Sequence, residues 1–335
     1  MSATDPHIVR KKTRAATYSI LTNSLLVVTK FIVGLAIGSV SVMSEAIHSL
    51  VDLVAAVIAW FAVRMSGQPA DAKHPYGHGK FENVSGAIEA LLIFLAAGWI
   101  ISEAVHRLMT PSPVSDLGWG FGVMLFSATV NVLISTYLMR VGKETESIAL
   151  QADAWHLRTD VFTSVGVMLA LGVMWLGSHV MPDVDLRWVD PVTAMVVALL
   201  IIKAAWDLTW QATGDLLDEG LPPPEVAWIK GFISSQAPRV ASCHDMRTRR
   251  AGPHRFVEVH IAVDHRETVG QAHELAESIE HGIEAQFPGS TITVHLDPCD
   301  ASCNPSCLSG CLLQREHRYR LRAERGLGPI DPEAK

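Results

Sequence analysis

Up to about Trp210 the chain is a series of long apolar runs. Six runs are long enough to cross roughly 30 Å of hydrocarbon, which takes about 20 helical residues. They lie near residues 16–38, 41–63, 83–106, 117–139, 148–175 and 189–211. The pattern predicts an α-helical membrane protein with six transmembrane helices within residues 16–215. The third run carries Glu89 and the sixth carries Lys203 and Asp207, so five helices and one interfacial segment are the alternative.

Beyond Leu221 the pattern changes to that of a water-soluble domain. Segments with the hydrophobic periodicity of a helix alternate there with segments that have the periodicity of a strand. Helices are predicted at 226–236 and 270–287, and strands at 240–250, 255–264 and 291–297. The order αββαβ predicts a cytoplasmic ferredoxin-like domain over residues 216–298. Residues 299–335 contain four cysteines followed by many charges, and we expect a flexible tail.

Charge favours a multi-pass membrane protein with both termini in the cytoplasm. The chain is 49% hydrophobic and only 18% charged. Lys and Arg concentrate in the N-terminal segment 1–15 and in the loops after the second and fourth runs, which the positive-inside rule places in the cytoplasm. The basic residues Arg10, Lys11, Lys12 and Arg14 are predicted to anchor the first helix at that surface. A net charge of −7 without a basic stripe gives no sign of a nucleic-acid partner, and no secretory signal is evident.

One spacing occurs twice inside the apolar runs. His48 precedes Asp52, and His156 precedes Asp160, by one helical turn, so each pair lies on one helix face. Both aspartates lie at the same depth, roughly 18 Å from the cytoplasmic surface. Two such helices packed together predict a metal site of two imidazoles and two carboxylates, the ligand types of tetrahedral zinc. The alternative is a pair of polar contacts that hold helices together.

Two further charged residues lie near the start of the fifth run. Asp153 and Arg158 are predicted to snorkel or to line a gate, and are not predicted to be ligands.

The loop after the second run contains three metal-ligand residue types close together. Asp71, His74 and His78 lie among prolines and glycines, so they are predicted to lie in a turn-rich loop. They are candidates for a second metal site. A solvated loop with scattered histidines is the alternative.

The soluble domain carries further candidates on its strands. His295 and Asp297 share one strand face, and His260 lies on the polar face of another. His244 and His273 lie nearby in the order of motifs. Two such strands predict a metal clamp, with a solvated polar face as the alternative.

Four of the five cysteines recur every fourth residue: Cys299, Cys303, Cys307 and Cys311. Thiolates bind soft or borderline metals, but this spacing is not the usual Cys-x2-Cys of a zinc knuckle, and Pro305 interrupts a helical stripe. An odd cysteine count and a cytoplasmic tail argue against a disulfide framework. Metal binding and a disordered tail with incidental cysteines both stay open.

These motifs together resemble the cation diffusion facilitator family of six-helix, proton-coupled zinc transporters. The resemblance covers roughly residues 10–298. It rests on SEAIHSLVD (44–52), PADAKHPYGHGKFE (69–82), QADAWHLRTD (151–160), CHDMRTR (243–249), EVH (258–260), QAH (271–273) and VHLDP (294–298).

The resemblance implies roles for these residues. The transport site would be His48, Asp52, His156 and Asp160. A second site would form in the loop from Asp71, His74 and His78. A metal pair at the interface of two tails in a homodimer would be held by His244, His260, His273, His295 and Asp297. Zinc would then be both substrate and regulatory ligand, exchanged for protons across the cell inner membrane.

Two features depart from that pattern. In one bacterial branch of the family, which accepts iron and cadmium as well as zinc, the position of His48 is an aspartate. Two histidines and two aspartates instead resemble the zinc-preferring branches. The four-cysteine tail is not part of the family pattern.

The function predicted from the sequence is proton-coupled efflux of a divalent metal, with Zn²⁺ as the best fit. The alternatives are the same transporter with Cd²⁺, Co²⁺ or Fe²⁺ as its main substrate, and a membrane metal sensor that does not transport. A metal-gated channel is disfavoured because no apolar pore motif with charged rings is present. An enzyme is not expected, since no His-Glu-x-x-His helix occurs and four strong ligands leave no open position.

Overall fold

A computed structural model describes residues 6–37, 40–109, 118–162, 165, 188–301, 303 and 305–328. The described residues divide into two compact units, one that ends at Leu216 and one that begins at Leu217. The first unit is helical, and the second combines helices with a small sheet.

The helical unit follows the predicted apolar runs. Its helices are α1 Pro6–Ile37, α2 Val40–Ser66, α3 Lys80–Met109, α4 Gly118–Glu144, α5 at 148–162 and α6 Val189–Leu216. Helix α1 begins at Pro6 and not near residue 16, since no helix-breaking residue follows Pro6 and proline is tolerated in a first turn. Most of the predicted fifth run beyond residue 162 lies outside the described residues.

Four of the described helices are long and apolar enough to cross a membrane. They span Pro6–Val33, Lys80–His106, Leu125–Glu144 and Pro191–Leu216. Large apolar side chains project outward from them, including Leu35 at 70% exposed, Trp99 at 68% and Leu199 at 62%. A continuous apolar exterior on helices whose backbone groups are internally paired suits a lipid bilayer.

Helix α5 is packed between two hydrophobic clusters. One cluster joins its Leu150 and Leu157 to residues of α1, α2 and α4. The other joins its Ala152 to α3 and α6. Small residues dominate both contacts, which lets the helix backbones approach closely. Polar residues on α5 are therefore enclosed by protein.

A buried ion pair connects the helices near the start of α3. Nζ of Lys12 donates to Oε1 of Glu82 at 2.8 Å, and the two side chains are 3% and 0% exposed. The same carboxylate accepts from the hydroxyls of Ser66, at 2.6 Å, and Ser147. The prediction that Lys12 anchors α1 at the surface is therefore wrong. A buried carboxylate needs a cation, and Lys12 on α1 supplies it.

The second unit is built on a three-stranded sheet. Its elements are α7 Pro223–Ser234, β1 Ser242–Ala251, β2 His254–Asp264, α8 Val269–Gln286, β3 Thr291–Cys299, α9 Pro305–Ser309 and α10 Arg315–Glu324. The strand order is β1-β2-β3, with β1 antiparallel and β3 parallel to β2. The predicted alternation in β2 is confirmed, since Val257, Val259, Ile261 and Val263 are buried in the core.

Helix α8 covers this core with its apolar stripe, Ala272, Leu275, Ala276, Ile279 and Ile283, all of which are buried. Its start is fixed by a capping box between Thr268 and Gln271. The other face of the sheet carries the polar residues of β2 and β3.

The described part of the segment expected to be flexible contains two helices. Residues 305–309 and 315–324 are helical, and Arg322 donates to the carbonyl of Ala301 at 2.7 Å. Composition alone misses this, because tertiary hydrogen bonds, and not burial of apolar residues, hold α10.

We predict that Lys12→Met destabilises the helical unit strongly, because it leaves Glu82 buried without its cation. Breaking a buried ion pair costs about 3–5 kcal/mol. The measurement is the unfolding temperature of purified protein in detergent. Lys11→Met is the matched control, since Lys11 pairs with Glu144 at half-exposed positions and exposed pairs contribute little. Equal shifts for the two variants would contradict the assignment.

Candidate metal sites

Helices α2 and α5 bring Asp52, His156 and Asp160 to one point. One ligand atom of each residue lies within 4.8 Å of the other two. Asp52 is 4% exposed and His156 is 5% exposed. Two carboxylates and an imidazole at this separation have the chemistry to bind one divalent cation. The cluster lies where the two predicted His-x-x-x-Asp helices meet.

The fourth predicted ligand of this site is His48. It lies on α2, one turn before Asp52. Its side chain falls outside the described residues, so its place in the cluster stays a prediction.

The contact between His156 and Asp52 involves a nitrogen that could also bind a metal ion. Nε2 of His156 lies 3.1 Å from Oδ1 of Asp52. A carboxylate only accepts hydrogen bonds, so a hydrogen on Nε2 donates to Asp52 in this geometry. A metal bound at the same nitrogen must displace that hydrogen. That nitrogen can therefore carry a hydrogen or bind a cation, but not both at once.

The two other charged residues on α5 differ in burial. Asp153 is fully buried and interacts electrostatically with His156 and Asp52. Its predicted snorkelling is wrong, because α5 is covered by protein on two sides. Its alternative role of lining a gate stays a prediction. Arg158 is partly buried, and its guanidinium carbon Cζ lies 5.4 Å from the centre of the Trp155 ring.

The loop between α2 and α3 assembles Asp71, His74 and His78. Their ligand atoms lie within 4.8 Å of one another. Oδ1 of Asp71 lies 3.3 Å from Nδ1 of His74, and Oδ2 lies 3.5 Å from Nε2 of His78. His78 is 4% exposed, while the other two residues are exposed. The three residues form a cluster open to solvent on one side.

Hydrogen bonds prepare two of these groups for metal binding. Nδ1 of His78 lies 3.1 Å from the carbonyl of Pro69, which only accepts, so Nδ1 carries a hydrogen and Nε2 is the nitrogen that faces Asp71. The backbone N–H of His74 donates to Asp71 at 2.6 Å and lowers the pKa of that carboxyl, assisted by the N–H of Lys73 and the His74 imidazole. Asp71 therefore stays ionised as the pH falls.

The strand register of the second unit aligns a third cluster. His244 on β1 pairs with His260 on β2, which pairs with His295 on β3. Asp297 lies at their centre. Its carboxylate oxygens lie 3.0 Å from Nδ1 of His260, 3.4 Å from Nε2 of His244 and 3.5 Å from Nε2 of His295. One carboxylate thus faces three imidazoles across three strands.

His260 takes part in both ligand groups that the sheet forms. One group is His260, His295 and Asp297, and the other is His244, Asp245 and His260. Asp245 was not predicted, because strict alternation places it on the opposite face from His244. The pairing of β1 and β2 shifts between His244 and Arg247, and this irregularity brings Asp245 to the same side.

His273 belongs to neither group among the described residues. It lies on α8, is exposed, and its Nε2 lies 3.5 Å from Oε1 of Glu277 one turn later. The protomer therefore gathers four of the five predicted residues of this domain and leaves His273 apart.

The four cysteines after Asp297 line one cavity of about 390 Å³. The cavity is also lined by His244, His260 and Asp297. Burial raises the pKa of the Cys299 and Cys307 thiols, and the neighbouring cysteines raise it further. In the absence of a cation, these groups are therefore expected to stay protonated at neutral pH.

An apolar helical unit with an enclosed ligand cluster, joined to a sheet domain with surface ligands, defines a membrane protein that handles divalent metal. Residues 16–217 match the family model of the cation efflux transmembrane domain. Residues 221–299 match the model of the cation efflux protein cytoplasmic domain. The chain belongs to the cation efflux, or cation diffusion facilitator, family and is a membrane transporter of metal cations.

Named relatives agree with this family. The chain is 33% identical over 290 residues to the cation-efflux pump FieF of Salmonella schwarzengrund, covering 87% of this chain and 94% of the relative. The same values hold for FieF of Citrobacter koseri. A solved structure titled as a putative zinc transporter CzrB, in its zinc form, is 41% identical. It covers 24% of this chain and 93% of its own, with a TM-score of 0.24.

The loop cluster generates a prediction about pH. Zinc affinity there should fall as the pH drops from about 7.5 to about 5.5, because imidazoles ordinarily protonate near pH ~6.5 while Asp71 stays ionised. Asp71→Asn should weaken binding at every pH and keep the dependence. Calorimetric zinc titration in an Asp52→Ala/His260→Ala/Cys303→Ser/Cys311→Ser background isolates the loop. An affinity independent of pH over this range would contradict the histidine ligands.

Proposed function

We propose that the protein exports Zn²⁺ from the cytoplasm in exchange for protons. The observation that carries the proposal is the buried convergence of Asp52, His156 and Asp160 between α2 and α5. With His48 added from α2, the ligand set is two imidazoles and two carboxylates. Nitrogen and oxygen ligands in fourfold coordination suit Zn²⁺ better than hard cations such as Mg²⁺.

We infer proton coupling from competition for the ligand set, because a charged imidazole or a protonated carboxyl group must lose a proton before it binds metal. Zinc loading from the cytoplasm requires deprotonated ligands, so it removes the hydrogen between His156 and Asp52. Protons arriving from the opposite side neutralise the carboxylates or charge the imidazoles, and so expel zinc. The protonated, empty site then returns to the inward-facing state. Alternating access converts this local exchange into antiport.

The two clusters outside the membrane have separate proposed roles. Asp71, His74 and His78 form a loop site near the cytoplasmic entrance to the transport path. His244, His260, His295 and Asp297 hold regulatory zinc on the cytoplasmic domain, and His273 completes that site at the interface of a homodimer. Zinc would then stabilise the transporting dimer when its cytoplasmic level is high, which is allostery if binding at the two sites is coupled.

The proposed architecture places each site in its compartment. Residues 1–15 form a cytoplasmic N-terminal segment, and 16–215 form six transmembrane helices in the cell inner membrane. Residues 216–298 form a ferredoxin-like αββαβ domain in the cytoplasm, followed by the cysteine-containing segment 299–335. The exposed apolar side chains of the helical unit and the match to the family's cytoplasmic domain support this arrangement.

The transport site is tested by flux. Asp52→Ala should abolish zinc uptake driven by a proton gradient into inside-out vesicles, because it removes a ligand and the acceptor of the His156 hydrogen. Glu144→Gln is the matched control, since that acidic residue is half exposed and lies outside the cluster. Proton-driven uptake by Asp52→Ala at the control rate would end the transport-site proposal. Zinc binding without flux in the wild type would instead favour a sensor.

Metal choice is tested at His48. His48→Asp exchanges a borderline nitrogen ligand for a harder oxygen ligand. We expect the ratio of Zn²⁺ flux to Fe²⁺ and Cd²⁺ flux to fall in reconstituted liposomes relative to the wild type. An unchanged ratio would show that His48 does not contribute to selectivity.

A further inference from the structure

The segment that follows the matched cytoplasmic domain is attached to strand β1 through its backbone. The N–H of Cys243 donates to the carbonyl of Gly310, and the N–H of Leu312 donates to the carbonyl of Ala241, each at 2.9 Å. Ser242 and Cys311 form a β-bridge between these contacts. The segment therefore adds a short strand-like contact to the sheet edge beyond the family's domain, which ends at residue 299.

Glycine at position 310 is required by this attachment. A Cβ atom there would lie 1.7 Å from the carbonyl oxygen of Cys243. A side chain of any size is therefore incompatible with the observed approach of the two backbones. The contact fixes Cys311 next to β1. A further hydrogen bond, from the hydroxyl of Ser242 to the carbonyl of Cys307 at 2.9 Å, holds the middle of α9 against β1.

These attachments turn all four cysteines of the segment toward one cavity. Cys299 ends β3, Cys303 lies in the turn, Cys307 lies on α9, and Cys311 lies at the β-bridge. Each is partly buried and none is in a disulfide. Cys303 has a left-handed backbone, with φ of 57°, as does Ala301, with φ of 63°. Cys303 and Cys299 line the same cavity, and Cys303 interacts electrostatically with the Cys299 thiol.

Three features thus hold the four thiols in one arrangement. They are the backbone contacts to β1, the glycine at position 310 and the left-handed residues Ala301 and Cys303. A disordered tail with incidental cysteines would not require any of these three features. We propose that Cys299, Cys303, Cys307 and Cys311 bind one Zn²⁺ or Cd²⁺ ion as four thiolates, at a site separate from the histidine cluster beside it. Four-thiolate tetrahedral coordination is the arrangement that these two cations favour.

Metal binding would also bring the four cysteine side chains closer together. The cysteines are not among the groups of described residues whose ligand atoms already lie within 4.8 Å of one another. The ion must therefore pull the side chains inward around the cavity. Because Cys299 belongs to β3 and Cys311 is paired to β1, closure would clamp both edges of the three-stranded sheet. We expect the three-stranded sheet that carries the histidine cluster to become more rigid.

The test uses the full-length protein, purified under reducing conditions and titrated with Cd²⁺. We expect an ultraviolet thiolate-to-metal charge-transfer band that saturates at one ion per chain. The band should be lost in Cys307→Ser and in Cys303→Ser/Cys311→Ser. It should be kept in the matched control Cys243→Ser, since Cys243 packs against the hydrophobic core and does not line the cavity.

A second substitution separates the two neighbouring sites. His260→Ala should keep the charge-transfer band, while it removes metal from the histidine cluster. Loss of the band in His260→Ala would overturn the separate site and assign the thiols to the histidine cluster. Absence of the band in the reduced wild type, or its persistence in Cys303→Ser/Cys311→Ser at the wild-type unfolding temperature, would overturn thiolate binding altogether.

Discussion

The structure depends on how it neutralises charge inside an apolar helical bundle. A carboxylate that leaves water must gain a cation or a proton, because an isolated buried charge is far too costly. Two of its buried carboxylates gain their partners in different ways. Glu82 has a permanent partner, Lys12, together with two hydroxyl donors. Asp52 has His156, whose charge depends on a proton that a metal ion displaces.

The two carboxylates therefore differ in role. Glu82 has a structural role, and Asp52 belongs to the cluster that is proposed to exchange its ligand. Nζ of Lys12 donates directly to Oε1 of Glu82 at a buried position, so the pair serves as a fixed connection between α1 and α3. In the proposed mechanism, the cluster of Asp52, His156 and Asp160 changes its occupant at little structural cost, because protons and a cation satisfy the same oxygens and nitrogen. Transport requires this second property, since a site that bound only one occupant could not release it.

Features that depend on local periodicity could be predicted from the sequence. The one-turn spacing located Asp52, His156 and Asp160, and the alternation in β2 located the core of the sheet. Features that depend on contacts between distant segments were missed. Lys12 resembled a surface anchor because its partner lies 70 residues away, and Asp245 was missed because an irregular pairing of strands is not visible in an alternating pattern.

The ligand types divide the proposed sites by how readily they release metal. Imidazole and carboxylate protonate within or near the physiological range, so a proton gradient can empty a site built from them. Thiolates bound to zinc or cadmium are softer and stronger ligands, and protons displace them less easily near neutral pH. A four-thiolate site would therefore serve poorly for transport and well for a retained, structural ion. The placement agrees with that division, since His156 lies between packed transmembrane helices and the cysteines lie where a segment is attached to the edge of a sheet.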